Sequence, residues 1–357
     1  MAFLKINNLK ISGISACVPK QIDENSNFPM FDSESYKNFV AATGIERKRI
    51  SSKEVCTSDL CAAAAERLIA DLGWNKEDIK IIVFVTQTPD YLLPATAPLL
   101  QDKLGLPQDC YALDISLGCS GWVYGLSVIS SLLNNCLEIN GKDTKALLLA
   151  GDTISKICSS TDKSTYPLFG DAGTATALEY SENSAPFLFE MNSDGAGFRA
   201  IMVEDGGFRN EVGKKSFDKI IRGEGIESNN LQLILEGMDV FAFGIKRAPE
   251  SVNRLLEKFE INKDSIDFFI FHQANMFMNE QIRKKLKLAK EKVPYSLKNF
   301  GNTSSATIPL TMVTELKERL KTEKLRNLAC GFGVGLSWGS VFFETDNIIC
   351  SELIEIE

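Results

Sequence analysis

The chain has 357 residues, 44% hydrophobic and 24% charged, enough for one large or two ordinary globular domains with a sizeable core. A formal net charge of −8 argues against a general nucleic-acid binder, which presents a basic face. The nine cysteines are odd in number, widely spaced and without a CxxC pair, and only one histidine accompanies them, so zinc is not expected. Most read as small buried hydrophobes in a reducing compartment. No stretch approaches the ~18 apolar residues of a spanning helix, and MAFLKINNLKISG lacks a sustained apolar signal core. A cytoplasmic protein with no membrane contact is expected.

In chain order, Leu60 to Ile69 has helical spacing, and Ile81 to Val85 is a continuous apolar strand. Tyr111 to Ile115 reads as a strand that breaks at Leu117-Gly118-Cys119-Ser120-Gly121 and opens a helix-like stretch from Trp122 to Leu133. Leu147 to Ala150 is a further buried strand. The Gly/Asn/Ser-rich stretch from Ser181 to about Asn230 is the expected loop-rich insert, placed to cap an active site. After a helical segment from Ser251 to Phe259, Phe268 to Phe271 is a strand that ends at His272-Gln273-Ala274-Asn275. Arg283, Lys284, Lys285, Lys287, Lys290 and Lys292 form a basic run, as readily a solvated face as a dock for an acidic carrier. Asn299 to Ala306 is a small-residue loop leading into Ile308, Leu310, Met312 and Val313.

Two segments repeat. Asn75-Lys76-Glu77-Asp78-Ile79 through Phe84 resembles Asn262-Lys263-Asp264-Ser265-Ile266 through Phe271, 187 residues downstream, and the same offset maps Cys119 to Ala306. Strands apolar on both faces imply sheets covered by helices on both sides. The expectation is a duplicated, layered α/β fold with halves at 1–185, carrying the cysteine, and 186–357, carrying the histidine and Asn302.

Each polar residue has an ordinary reading on its own: Cys119 as a buried thiol, His272 as a structural histidine, Asn302 as a turn residue. Their conjunction at element ends is what points to chemistry, because two-fold related halves would make those ends converge. Cys119 stands at a helix N-terminus, where partial positive charge lowers a thiol pKa and favours the nucleophilic thiolate.

The motifs Leu117 to Gly121, His272 to Asn275, Gly301-Asn302-Thr303-Ser304-Ser305 through Leu310 and Gly333-Val334-Gly335 through Gly339 resemble those of the ketoacyl-acyl-carrier-protein synthase III family in the thiolase superfamily. Thr43 to Arg49 and Phe169 to Gly173 also fit, so the resemblance spans nearly the whole chain in order. It implies a five-layered αβαβα homodimer with Cys119, His272 and Asn302 as catalytic triad. Backbone N–H groups of Cys119 and of the turn containing Val334 and Gly335 would form the oxyanion hole. An acyl thioester would load Cys119, and a malonyl-acyl-carrier protein polarised by His272 and Asn302 would decarboxylate and attack it. Phe332 matches an aromatic position near the site. No metal or redox cofactor is required, coenzyme A or carrier thioesters being substrates.

Departures bear on substrate. The family's tryptophan and arginine for adenine fall at Asn38 and Ala42, so the coenzyme A clamp is missing; Lys156 stands where the family has an arginine. A carrier-facing arginine falls at Phe277. The side chain that closes the partner's acyl pocket falls at Leu93, leaving room for a longer or branched chain. Cys330 lies one position too early for a thiolase's second cysteine and reads as a buried strand residue, and Gly301-Asn302-Thr303 speaks against the glutamate base of hydroxymethylglutaryl-type synthases. The leading expectation is decarboxylating condensation. The alternatives are transfer of the acyl group to an alcohol or amine, and a non-catalytic partner of another ketosynthase.

Overall fold

The computed structural model describes residues 2–357. Two sheets with the same core topology stack with helices between and outside them. In the first sheet, Ile79–Val85 lies parallel to Lys145–Asp152, which pairs antiparallel with Ala172–Tyr180, itself antiparallel to Leu9–Pro19. In the second, Phe268–Phe271 lies parallel to Lys324–Gly333, which pairs antiparallel with Ser337–Asp346, itself antiparallel to Phe187–Ser193. The two repeated segments thus occupy equivalent strands. Tyr111–Ile115 extends the first sheet beyond Ile79–Val85.

Helices Gly121–Asn140 and Thr307–Glu315 form the central layer, touching strands of both sheets. They are apolar nearly all round, as a doubly covered helix must be: Trp122, Val123, Leu126, Ile129 and Leu133 from one and Ile308, Leu310, Met312 and Val313 from the other join one core. Thr57–Leu72 covers the outer face of the first sheet, with Ala62, Ala64, Ala65 and Leu68 turned inward. Gly237–Lys258 and Met276–Lys285 cover the second. These layers give the αβαβα order.

The chain crosses the 185/186 division at both ends. Ala2–Ile6 pairs with Phe187–Ser193 at the edge of the second sheet, and Ile349–Cys350 and Ile354–Ile356 pair with Leu9–Pro19 at the edge of the first. The expected insert is partly core: Phe187–Ser193 is a buried strand, its short apolar run masked by polar flanks on either side. Beyond it, residues 194–235 hold 3-10 turns and two small ribbons, Ile201–Met202 with Ile234–Leu235 and Ile220–Gly223 with Ile226–Ser228. The helix expected over Ser251 to Phe259 begins earlier, at Gly237, and carries Pro249 within it. Cys330 is buried within Lys324–Gly333. Among the described residues no helix is long and apolar enough to cross a membrane.

The central layer leaves no slack. A Cβ added at Gly125 would lie 2.7 Å from Leu148 Cδ1 and from Val85 Cγ2, so the helix backbone rests directly on these strand side chains. Leu148→Ala is expected to destabilise the fold by about 2–5 kcal/mol, read as a fall in the urea midpoint at unchanged slope.

Candidate active site

Cys119, His272 and Asn302 line one cavity of about 260 Å³ and are almost fully buried. Each is delivered by the end of an element. Cys119 stands two residues before helix Gly121–Asn140; His272 follows the last residue of Phe268–Phe271; Asn302 lies between the short helix Leu297–Phe300 and the turn Ser304–Ala306. At Gly301 φ is +63° and a Cβ would lie 2.7 Å from the Leu168 carbonyl oxygen, so the asparagine loop needs glycine there for both conformation and clearance.

The cysteine turn is pressed against the second sheet. A Cβ on Gly333 would lie 2.5 Å from Cys119 Cβ and 2.9 Å from its Sγ, and one on Gly331 would lie 2.8 Å from Ser120 Cα. Ser120 and Ser337 hydroxyls share a 2.7 Å hydrogen bond, and Ser337 also donates to the Val334 carbonyl. The backbone N–H groups of Val334 and Cys119 bear on the sulfur. The structure therefore brings Val334 to the thiol. Gly335, with φ +136°, lies in the middle of the same turn and does not line the cavity.

Burial sets the resting charge state. It pushes the Cys119 thiol up to about 12, the Asp152 carboxylate adding to the effect, while the Ser304 hydroxyl and the Val334 and Cys119 N–H groups pull the other way. The helix terminus alone suggested a lowered pKa; desolvation of the buried sulfur outweighs it. His272 is held down to about 3, mainly by burial, against a small upward pull from the Ser304 carbonyl. Thiol and imidazole are both neutral at rest. His272 Nδ1 lies 2.8 Å from Thr307 Oγ1, and Phe332 packs edge-on to the imidazole with centroids 5.4 Å apart. Asn302 Oδ1 accepts the Ser304 N–H at 2.9 Å, which leaves its amide NH₂ as donor.

The remaining sequence candidates divide. Phe277 lines the rim, half exposed, stacked on Phe241 with centroids 5.4 Å apart. Ala42 and Thr43 line the mouth, whereas Asn38, on the same helix Ser33–Thr43, is exposed and outside it. Lys156 is exposed, outside the lining, and donates to the Lys53 carbonyl at 3.0 Å. Leu93 is 83% exposed and outside this chain's own cavity.

Four residues that sequence reasoning passed over also belong here. Gln87 lines the cavity beside Gly118. Ser304 lines it with a buried hydroxyl at φ +53°. Asp152 accepts from Gln87 N at 2.7 Å, Thr86 Oγ1 at 3.1 Å and Ser305 N and Oγ at 3.1 and 2.8 Å. Thr307 holds the imidazole. The available signal was position: Gln87 and Asp152 stand at carboxyl ends of apolar strands, where sites of layered α/β folds gather.

Gly333→Ala forces Cys119 to move. With ordering elsewhere intact by circular dichroism, turnover is expected to fall about a hundredfold, the scale of a displacement near 1 Å. Alkylation of wild-type Cys119 by iodoacetamide, followed on its own peptide by mass spectrometry, is expected to rise about tenfold per pH unit from pH 7 to pH 10 with no plateau. The sign follows from the raised thiol pKa: the thiolate fraction keeps growing up to about 12. No inflection is expected near pH 6.5, because the imidazole is already neutral there. A plateau below pH 8 contradicts the buried, protonated resting thiol.

The comparisons with known proteins agree with this geometry. The family described as 3-oxoacyl-[acyl-carrier-protein (ACP)] synthase III matches residues 113–195, and its C-terminal counterpart matches residues 256–345. The chain is 32% identical over 332 residues to a beta-ketoacyl-[acyl-carrier-protein] synthase III of Geobacillus kaustophilus, covering 93% of this chain and 97% of that one. It is 33% identical to a protein of the same name from Clostridioides difficile, covering 92% and 96%. Among solved structures, a 3-oxoacyl-(acyl-carrier protein) synthase from Burkholderia xenovorans LB400 superposes with a TM-score of 0.92 at 40% identity, covering 99% of both chains. Fold, motif order and these likenesses converge: the chain belongs to the 3-oxoacyl-[acyl-carrier-protein] synthase III family.

Proposed function

We propose that this chain is a condensing enzyme that joins an acyl thioester to malonyl-acyl-carrier protein with loss of carbon dioxide, giving a 3-oxoacyl product. The observation that carries the reading is the convergence of Cys119, His272 and Asn302 on one cavity whose lining is otherwise mostly apolar. Cys119 attacks the acyl thioester carbonyl, the N–H groups of Cys119 and Val334 receive the oxyanion, and the thiol carrier leaves with the proton lost by the sulfur. His272 and Asn302 then donate to the malonyl thioester carbonyl. Carbon dioxide departs, and the carbanion so formed attacks the acyl-cysteine carbonyl and releases the thiolate. A neutral His272 suits this step, since it polarises as a hydrogen-bond donor.

The donor side differs from a nucleotide-gripping site. No charged side chain lines the cavity among the described residues, and its rim is formed by Ala42, Phe241 and Phe277. This supports a carrier protein or another thioester as acyl donor, with the pantetheine arm and acyl chain recognised by apolar contact. A cytoplasmic homodimer is the working unit of this reading; the exposed side chains of Tyr91, Leu92 and Leu93 support an apolar contact with a second copy, in which Leu93 would close the partner's acyl pocket.

Intact-protein mass spectrometry of wild type and Cys119→Ala, mixed with acyl-coenzyme A and acyl-carrier thioesters and chased with malonyl carrier, tests the mechanism. The expected result is an acyl adduct on wild type alone, discharged by malonyl carrier with carbon dioxide release. An adduct that persists through the chase points instead to acyl transfer onto an alcohol or amine, and no adduct from any donor points to a non-catalytic partner.

A further inference from the structure

The chain has one histidine, and a neutral imidazole carries one N–H. Where that hydrogen sits decides whether the ring offers the cavity a donor or a lone pair. Nδ1 is 2.8 Å from the buried hydroxyl of Thr307, on the first turn of helix Thr307–Glu315. That hydroxyl has one hydrogen and two acceptors in reach, Nδ1 and the Ser304 carbonyl oxygen at 3.0 Å.

Two arrangements satisfy the distances. In one, Thr307 donates to the Ser304 carbonyl and accepts from Nδ1–H, so Nε2 meets the cavity as a lone pair. In the other, Thr307 donates to Nδ1, and Nε2–H meets the cavity as a donor. The nearness of the Ser304 carbonyl to the ring favours the first. Against it, the Ser304 carbonyl already accepts the backbone N–H of Thr307, so it stays satisfied when the hydroxyl turns to the imidazole. Among the described residues, Thr307 is the one side chain hydrogen-bonded to the ring.

We propose that Thr307 is a positioning residue whose hydroxyl donates to Nδ1 and holds His272 in the Nε2–H tautomer. This rests on the condensing reading above, in which the imidazole must donate to the malonyl thioester carbonyl. Asn302 faces the same task with its amide orientation already fixed, because its Oδ1 is occupied by Ser304 N–H. A single segment, Asn302 to Thr307, therefore orients both donors: Ser304 fixes the amide and Thr307 fixes the ring.

The single histidine makes the test direct. Protein labelled with ¹⁵N-histidine gives the resonances of one imidazole, and its two-dimensional ¹H–¹⁵N spectrum at pH 7.5 reports the tautomer without assignment. Wild type is expected to show Nε2–H; Thr307→Ser keeps it, and Thr307→Val shifts the ring toward a mixture. In parallel, Thr307→Val is expected to slow carbon dioxide release from malonyl carrier by about 10- to 100-fold. Loading of Cys119, which does not use the imidazole as donor, should change less than about threefold, and Thr307→Ser should restore release to within about threefold of wild type. An Nδ1–H tautomer in wild type overturns the proposal, as does a Thr307→Val loss that falls equally on loading and release. If the valine variant fails to fold, the wild-type and serine spectra still decide. A wild type that shows Nε2–H yet releases no carbon dioxide sinks the condensing reading while leaving the tautomer assignment standing.

Discussion

Asp152 is a fully buried carboxylate with no cation paired to it among the described residues, and the geometry of the site depends on it. Burial raises its pKa, and hydrogen bonds from Gln87, Thr86 and Ser305 hold it in place. Hydrogen bonds to a charged group are each worth about 1.5–3 kcal/mol, enough together to keep such a group out of water. The donors come from opposite halves: Thr86 and Gln87 follow a strand of the first sheet, and Ser305 belongs to the asparagine loop of the second half. One carboxylate therefore sets the spacing between the cysteine side and the histidine–asparagine side.

The cysteine and the histidine of the site, by contrast, rest uncharged. Burial pushes thiol and imidazole toward their neutral forms from opposite directions, so no thiolate–imidazolium pair forms at rest. Reactivity then develops only as charge is received by N–H groups already aimed at it, which is the condition for preorganised stabilisation. The same neutrality guards a buried sulfur against oxidants and alkylators, since the thiolate is the reactive form.

Much of this was legible in the chain because duplication is written into it. The matched segments at Asn75 and Asn262 predict equivalent strands, and the offset predicts that the helices after Cys119 and Ala306 are partners. What stayed hidden lacks a local signal. Phe187–Ser193 is too short an apolar run to stand out from its polar flanks, and the edge strands at residues 2–6 and 349–356 acquire their meaning only from long-range pairing. Asp152 and Thr307 look like ordinary strand-end and helix-start residues, and only the folded contacts reveal what they hold. The thiol pKa misled for a related reason: a helix terminus is visible in sequence, whereas the depth at which a sulfur is buried is not.

The exchange of edge strands also has a bearing on how the chain comes off the ribosome. The first sheet contains residues 9–19, 79–85, 111–115, 145–152 and 172–180, yet its edge is closed by residues 349–356, which are made well after all of them. Until those residues emerge, Leu9–Pro19 presents an unpaired backbone edge to the surroundings. The nascent first half therefore waits as an incomplete sheet while the second half is made, exposed to strand pairing with neighbouring chains, and synthesis speed and chaperone access become part of what the topology demands.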